Sequence, residues 1–170
     1  MDEFFIKIYK EQILDQIENA EIAHLSITNH PGDINSMFRN IHYFLIHVSN
    51  IVKLIQPKID NENDFKNYRK KQLKHGYPNI PEIDPRLISI RNDFEHFDDR
   101  IDSWVINSKQ HIYADKNIGN VKPTNAISGI GPKDNFRWFN PDTKTLYFCG
   151  KEYFLEDLYS YIQKVKESLN

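Results

Sequence analysis

The sequence predicts a mainly α-helical protein, an up-and-down bundle of four or five helices with a small antiparallel β-hairpin appended late. Three observations carry this. Long segments place apolar residues at steps of three and four. Two of those segments open on an aspartate suited to a helix N-cap, Asp33 and Asp84. Finally, "FRWF-NPDTK-TLYFCG" sets two aromatic, β-prone runs around a turn cluster of Asn140, Pro141 and Asp142.

The elements follow in order. Asp2 can cap a first helix reaching about Ile27, with Ile6, Tyr9, Ile13, Ile17, Ala20 and His24 on one face. "NHPGD" breaks it, because Pro31 and Gly32 both disfavour helix. Asp33 then opens "INSMFRNIHYFLIHVSNIVKLI", whose wide apolar stripe marks the central helix, ended by Pro57. Phe65, Tyr68 and Leu73 support a short third helix, before Gly76, Pro78 and Pro81 force a loop. Asp84 with Pro85 starts a helix over about 85–107, with Leu87, Ile90, Phe94, Phe97, Ile101 and Trp104 inward. The next stretch reads as loop, with only short candidate strands, up to the hairpin at about 136–139 and 145–149. A last helix over about 155–169 turns Leu155, Leu158, Tyr161, Ile162 and Val165 inward.

Composition bounds the function. A chain of 170 residues, 39 % hydrophobic and 27 % charged, fits one domain over 1–170 with a helical core at about 1–107. The net charge of −2 predicts no general attraction to nucleic acid or acidic membranes, although a local basic groove is compatible with it. Its single cysteine, Cys149, cannot form an internal disulfide, which points to a reducing, cytoplasmic setting. "MDEFFIKIYKEQ" is no signal peptide, and no apolar run approaches the roughly 20 residues of a membrane span. No motif asks for a cofactor: "SGIGPKD" lacks the Lys-Ser/Thr ending and preceding strand of a phosphate loop.

The candidate site is "RNDFEHFDDRID", the middle of the 85–107 helix. Arg91, Asn92, Glu95, His96, Asp99 and Arg100 form a dense polar patch over two to three turns. Arg91 can pair with Glu95, Asn92 can touch His96, and His96 can touch Arg100, each four residues apart. A solvated, ion-paired helix face is the bland account of such a patch. Tyr43 and His47 on the second helix are weaker candidates, as a polar seam or a support for the motif helix. His24, His42 and His47 with His96, Asp99 and Asp102 are a weak case for a metal site, since His42 and His47 lie five apart and diverge. Cys149 reads as a buried structural thiol. The basic segment "KNYRKKQLKHGY" has the composition of a surface that tracks a nucleic-acid backbone, or of a solvated helix.

"RNDFEH" has Arg91, an Asn directly after it, and His96 five residues on. This resembles the R-x4-H motif of the HEPN superfamily of all-helical proteins, and the helical order over about 1–107 is similar too. The wider block "RNDFEHFDDRIDSW" also resembles one in bacterial proteins of similar length. The resemblance implies Arg91, Asn92 and His96 as catalytic residues. It implies a two-fold homodimer that brings two motifs into one cleft, and a metal-independent endoribonuclease acting on RNA. Toxins with antitoxin partners and antiphage effectors occur in that superfamily, as do catalytically silent binding modules. In such a reaction histidine suits proton transfer near neutral pH and arginine suits phosphate. One His per chain can serve as both acid and base only if two chains meet. Glu95 sits uneasily here, because a carboxylate repels phosphate.

Overall fold

A computed structural model describes residues 2–29, 33–59, 64–109 and 111–170. It is mainly helical, with a small four-stranded sheet in the C-terminal region. Helix α1 spans Asp2–Asn29 and α2 Ile34–Ile55. The Asp2 side chain and the predicted break at His30, Pro31 and Gly32 lie outside the described residues. Asp33 caps α2 as its spacing predicts, accepting a hydrogen bond from the Ser36 amide at 3.0 Å. The stripe of α2 is buried from Met37 to Ile55 and faces Ile13, Ile17, Ala20 and Ile27 of α1.

Helix α3, Phe65–Gly76, packs on the first half of α1, with the Phe65 and Phe5 rings 6.1 Å apart. Leu73 is its one fully buried residue. Arg69 lies over the Tyr9 ring and donates to the Lys53 carbonyl at 3.0 Å, so part of the basic segment is occupied with packing. No helix among the described residues is long and apolar enough to cross a membrane.

The predicted 85–107 helix is two helices. Helix α4 runs Pro85–Glu95 and α5 runs Phe97–Asn107, joined at His96, whose backbone (φ −113°, ψ 43°) is not helical. Aromatic packing accompanies the bend. Phe94 stacks on Phe148 at 4.8 Å, while Phe97 meets both Phe148 and Phe136. Asp98 and Asp99 fall in the first turn of α5, where carboxylates favour a new N-terminus. Leu87 and Ile90 are buried as predicted, whereas α5 has no fully buried residue. Ile101 and Trp104 are half-buried.

Residues Asn117–Ile118 form β1, and a short helix α6 spans Pro123–Ala126. The predicted hairpin is present as β2, Arg137–Asn140, and β3, Thr145–Phe148. Asn140 organises its turn, its side-chain oxygen accepting from the amides of Asp142 and Thr143. A further strand, β4 (Lys151–Phe154), continues antiparallel from β3. Cys149 and Gly150 both take positive φ, 47° and 84°, the twist a two-residue hairpin needs. Strand β1 adds in parallel to β2. Helix α7, Leu155–Ser168, buries the five residues predicted for it. Phe139, Leu146, Phe148 and Tyr153 of the sheet share one continuous core with α1, α2, α4 and α7.

Candidate functional site

The bend at His96 decides the geometry of the patch. Because His96 ends α4 and opens α5, its side chain stands out from the surface, 59 % exposed. Its Nδ1 faces the Asp99 carboxylate at 3.4 Å, a three-residue spacing within the first turn of α5. Asn92 and His96 are joined through the backbone, His96 N–H to the Asn92 carbonyl at 3.1 Å. The Asn92 side chain instead accepts from Arg91 at 3.3 Å.

Arg91 is drawn inwards, its side chain only 14 % exposed. Its Nε lies 3.9 Å from Glu95, buried and without a hydrogen-bond partner. Glu95 also pairs with Lys53 of α2. The patch therefore brings Arg91, Asn92 and Glu95 together at the end of α4, and His96 with Asp99 at the start of α5.

Arg100 meets His96 through the backbone, its amide donating to the His96 carbonyl at 3.3 Å, but its side chain points elsewhere. It turns to Asp93 at 2.9 Å. Asp93, outside the patch that the sequence singles out, is 1 % exposed and the most connected carboxylate in the region. Lys151 of β4 donates to both of its oxygens, at 2.9 and 2.8 Å, and the Tyr153 hydroxyl also donates to it. Ser89 lies 3.1 Å from the same hydroxyl. Burial, then the bond to Asp93, pushes the Tyr153 phenol well above its ordinary range, so it stays a neutral donor. Asp93 ties α4 to α5 and both to β4. Its position three residues before His96 is visible in the sequence, but of its partners only Arg100 is near in the chain, and Lys151 and Tyr153 lie 58 and 60 residues away.

Tyr43 and His47 do not join the motif helix. Tyr43 is exposed. His47 Nδ1 lies 2.9 Å from the Gln16 side-chain oxygen, which also accepts from Asn50 at 3.0 Å. This is a polar seam between α1 and α2. His42 lies against the Phe94 ring at 5.9 Å. His24 is buried between α1 and α7, stacked on Tyr159 at 4.1 Å and 3.2 Å from Glu156. Its pKa is lowered by burial, with Glu156 opposing. Each of these histidines thus has a separate neighbourhood. Among the described residues, no group of three or more His, Cys, Asp or Glu is placed to hold a metal ion. Cys149 is half-buried, and burial, followed by the Asp93 charge, pushes its thiol up to about 11.

No family model, no curated protein and no solved structure matches this chain, so the reading of the site rests on its own residues.

Proposed function

We propose that the protein is a metal-independent endoribonuclease acting as a homodimer. The observation that supports it is the exposed imidazole of His96 at a helix break, with Nδ1 against Asp99 and Arg91 one turn earlier. That pairing orients the ring and leaves Nε2 for proton transfer. RNA carries its own nucleophile. The 2′-oxygen attacks the adjacent phosphorus, the bond to the 5′-oxygen breaks, and a 2′,3′-cyclic phosphate and a 5′-hydroxyl result. His96 of one chain takes the 2′-OH proton. The second copy of His96 gives a proton to the leaving oxygen, hence the dimer. Arg91 serves the phosphate once substrate draws it from Glu95, and Asn92 supports Arg91.

A second reading is a catalytically silent HEPN-like dimer or binding module. The hold of Glu95 on Arg91 and Lys53 favours it, since it spends the arginine on internal charges. One experiment separates the two. Purified protein is incubated with single-stranded RNA and, separately, with DNA in EDTA, beside His96→Ala and Arg91→Lys. The nuclease reading expects cleavage of RNA alone, lowered by about 10²–10⁴-fold in His96→Ala. Arg91→Lys should lose much of the activity, because an ammonium lacks the planar fork. No cleavage of varied RNAs, or an unchanged rate in His96→Ala, leaves the silent module.

A further inference from the structure

A cleft of about 840 Å³ lies beside the motif, between α5 and the 129–134 loop. Its volume is in the range of small-molecule sites, roughly 300–1,000 Å³. Helix α5, which follows His96, builds one wall. Arg100, Ser103, Trp104 and Asn107 recur at steps of three and four along α5, a stripe that begins one turn after His96.

Two carboxylates clamp the walls together. At one end Asp93 joins Arg100 to Lys151. At the other Asp134 accepts from Trp104 Nε1 at 2.9 Å, from the Ser108 hydroxyl at 2.8 Å and from the Gly131 amide at 3.0 Å. The Trp104 ring is further fixed by edge contacts with Tyr113 and Phe136. The cleft is therefore pre-formed, with an immobilised indole in its lining.

Its charge is lopsided. The lining carries four cations, Arg100, Lys109, Lys133 and Lys151, against two anions, Asp93 and Asp134. Both anions are engaged in the clamps. Lys109 and Lys133 are exposed and carry no ion pair among the described residues. An indole with two free ammonium groups suits a flat heterocycle joined to a phosphate, while the Asn107 amide nitrogen is held by the Ser103 carbonyl at 2.7 Å. Stacking on an aromatic side chain accepts any base, and lysine binds phosphate as a point charge.

We propose that this cleft binds a nucleotide, stacked on Trp104 with its phosphate held by Lys109 and Lys133. The source is either a unit of a single-stranded RNA passing His96 or a free nucleotide. The first form rests on the nuclease reading, and the second does not.

The test uses the 170-residue His96→Ala chain, so that RNA stays intact. Adenosine 5′-monophosphate is titrated while tryptophan emission is followed. Trp138, the other tryptophan, is buried with its Nε1 on the Gly119 carbonyl and supplies a constant background. The expected result is saturable quenching, weakened at least about tenfold in Lys109→Ala/Lys133→Ala. Because both lysines are exposed, that variant should keep the parent's circular dichroism. A fluorescein-labelled ten-nucleotide RNA is then competed against the mononucleotide. Competition assigns the cleft to RNA; binding of the mononucleotide without competition overturns the RNA form and keeps the free-nucleotide one. Absence of quenching up to millimolar ligand, or equal binding by the double variant, overturns the inference. RNA cleavage by wild-type protein would still stand in that case, so the two readings fail separately.

Discussion

Replacing Asp93 by alanine is the most informative perturbation of the scaffold. The carboxylate is buried at the junction of α4, α5 and β4, and holds Arg100, Lys151 and Tyr153. Removing one member of a buried ion pair costs about 3–5 kcal/mol when the remaining charge stays buried. Here Arg100 and Lys151 are 38 % and 51 % exposed, so both can regain water. Tyr153 keeps Ser89 as a partner at 3.1 Å. The lower end applies, about 3 kcal/mol. For a chain of this size each kcal/mol moves Tm by roughly 2–4 °C, so Asp93→Ala should melt about 6–12 °C below wild type. Thermal and urea unfolding followed by circular dichroism measure this. Lys151→Met leaves Asp93 with Arg100 and Tyr153 and should cost less than half as much. If Asp93→Ala melts within about 2 °C of wild type, the carboxylate is not the clamp described above.

Other outcomes follow from single groups. Burial lowers the pKa of His24 in the folded protein, so the unfolded chain takes up its proton first as pH falls. Its contribution to stability is full above the ordinary histidine pKa of about 6.5 and is lost as pH falls below it. The fall in stability between about pH 7 and 5 should be shallower in His24→Gln than in wild type, and parallel curves would contradict this. Cys149, with its thiol near 11, should resist iodoacetamide at pH 7.5 and react fully in urea. Rapid labelling of the native protein would place its sulfur in a more polar and open setting than the structure gives.

Much of the helical frame was legible from local chemistry. Asp33 and Asp84 cap helices because each side chain meets an amide two or three residues on, a relation contained in the sequence itself. The α2 and α7 stripes needed only periodicity. The bend at His96 was not legible, because Phe94 and Phe97 keep the same three-residue step on either side of it. The bend goes with their packing on Phe136 and Phe148, about 40 to 54 residues downstream. The adjacent Asp98 and Asp99 were its one local trace, as carboxylates at the start of a new helix. Strand β4 was missed because its turn uses Cys149 and Gly150 where an Asn-Gly pair would have signalled a hairpin.

The candidate site divides in the same way. Arg91, Asn92, Glu95 and His96 stand out in the sequence itself, and the Arg91–Glu95 pair is present. Arg100 touches His96 only through the backbone, and its side chain bonds to Asp93. In a segment so rich in carboxylates, nothing local separates the one that is buried. The cleft was equally hidden, since its walls come from segments some 30 residues apart. Tyr43 and His47 shared a helix with the core but face elsewhere.

In the proposed nuclease reaction the 2′-OH of RNA is the nucleophile and His96 handles its proton. The direct measurement uses a short RNA cut at one mapped position, compared with the same strand carrying a single 2′-deoxynucleotide there, both in EDTA. The all-RNA strand should yield a 2′,3′-cyclic phosphate and a 5′-hydroxyl, with no cut at the substituted position of the other strand. Cleavage of the substituted strand at that position, at the rate of the all-RNA strand, would contradict that reaction.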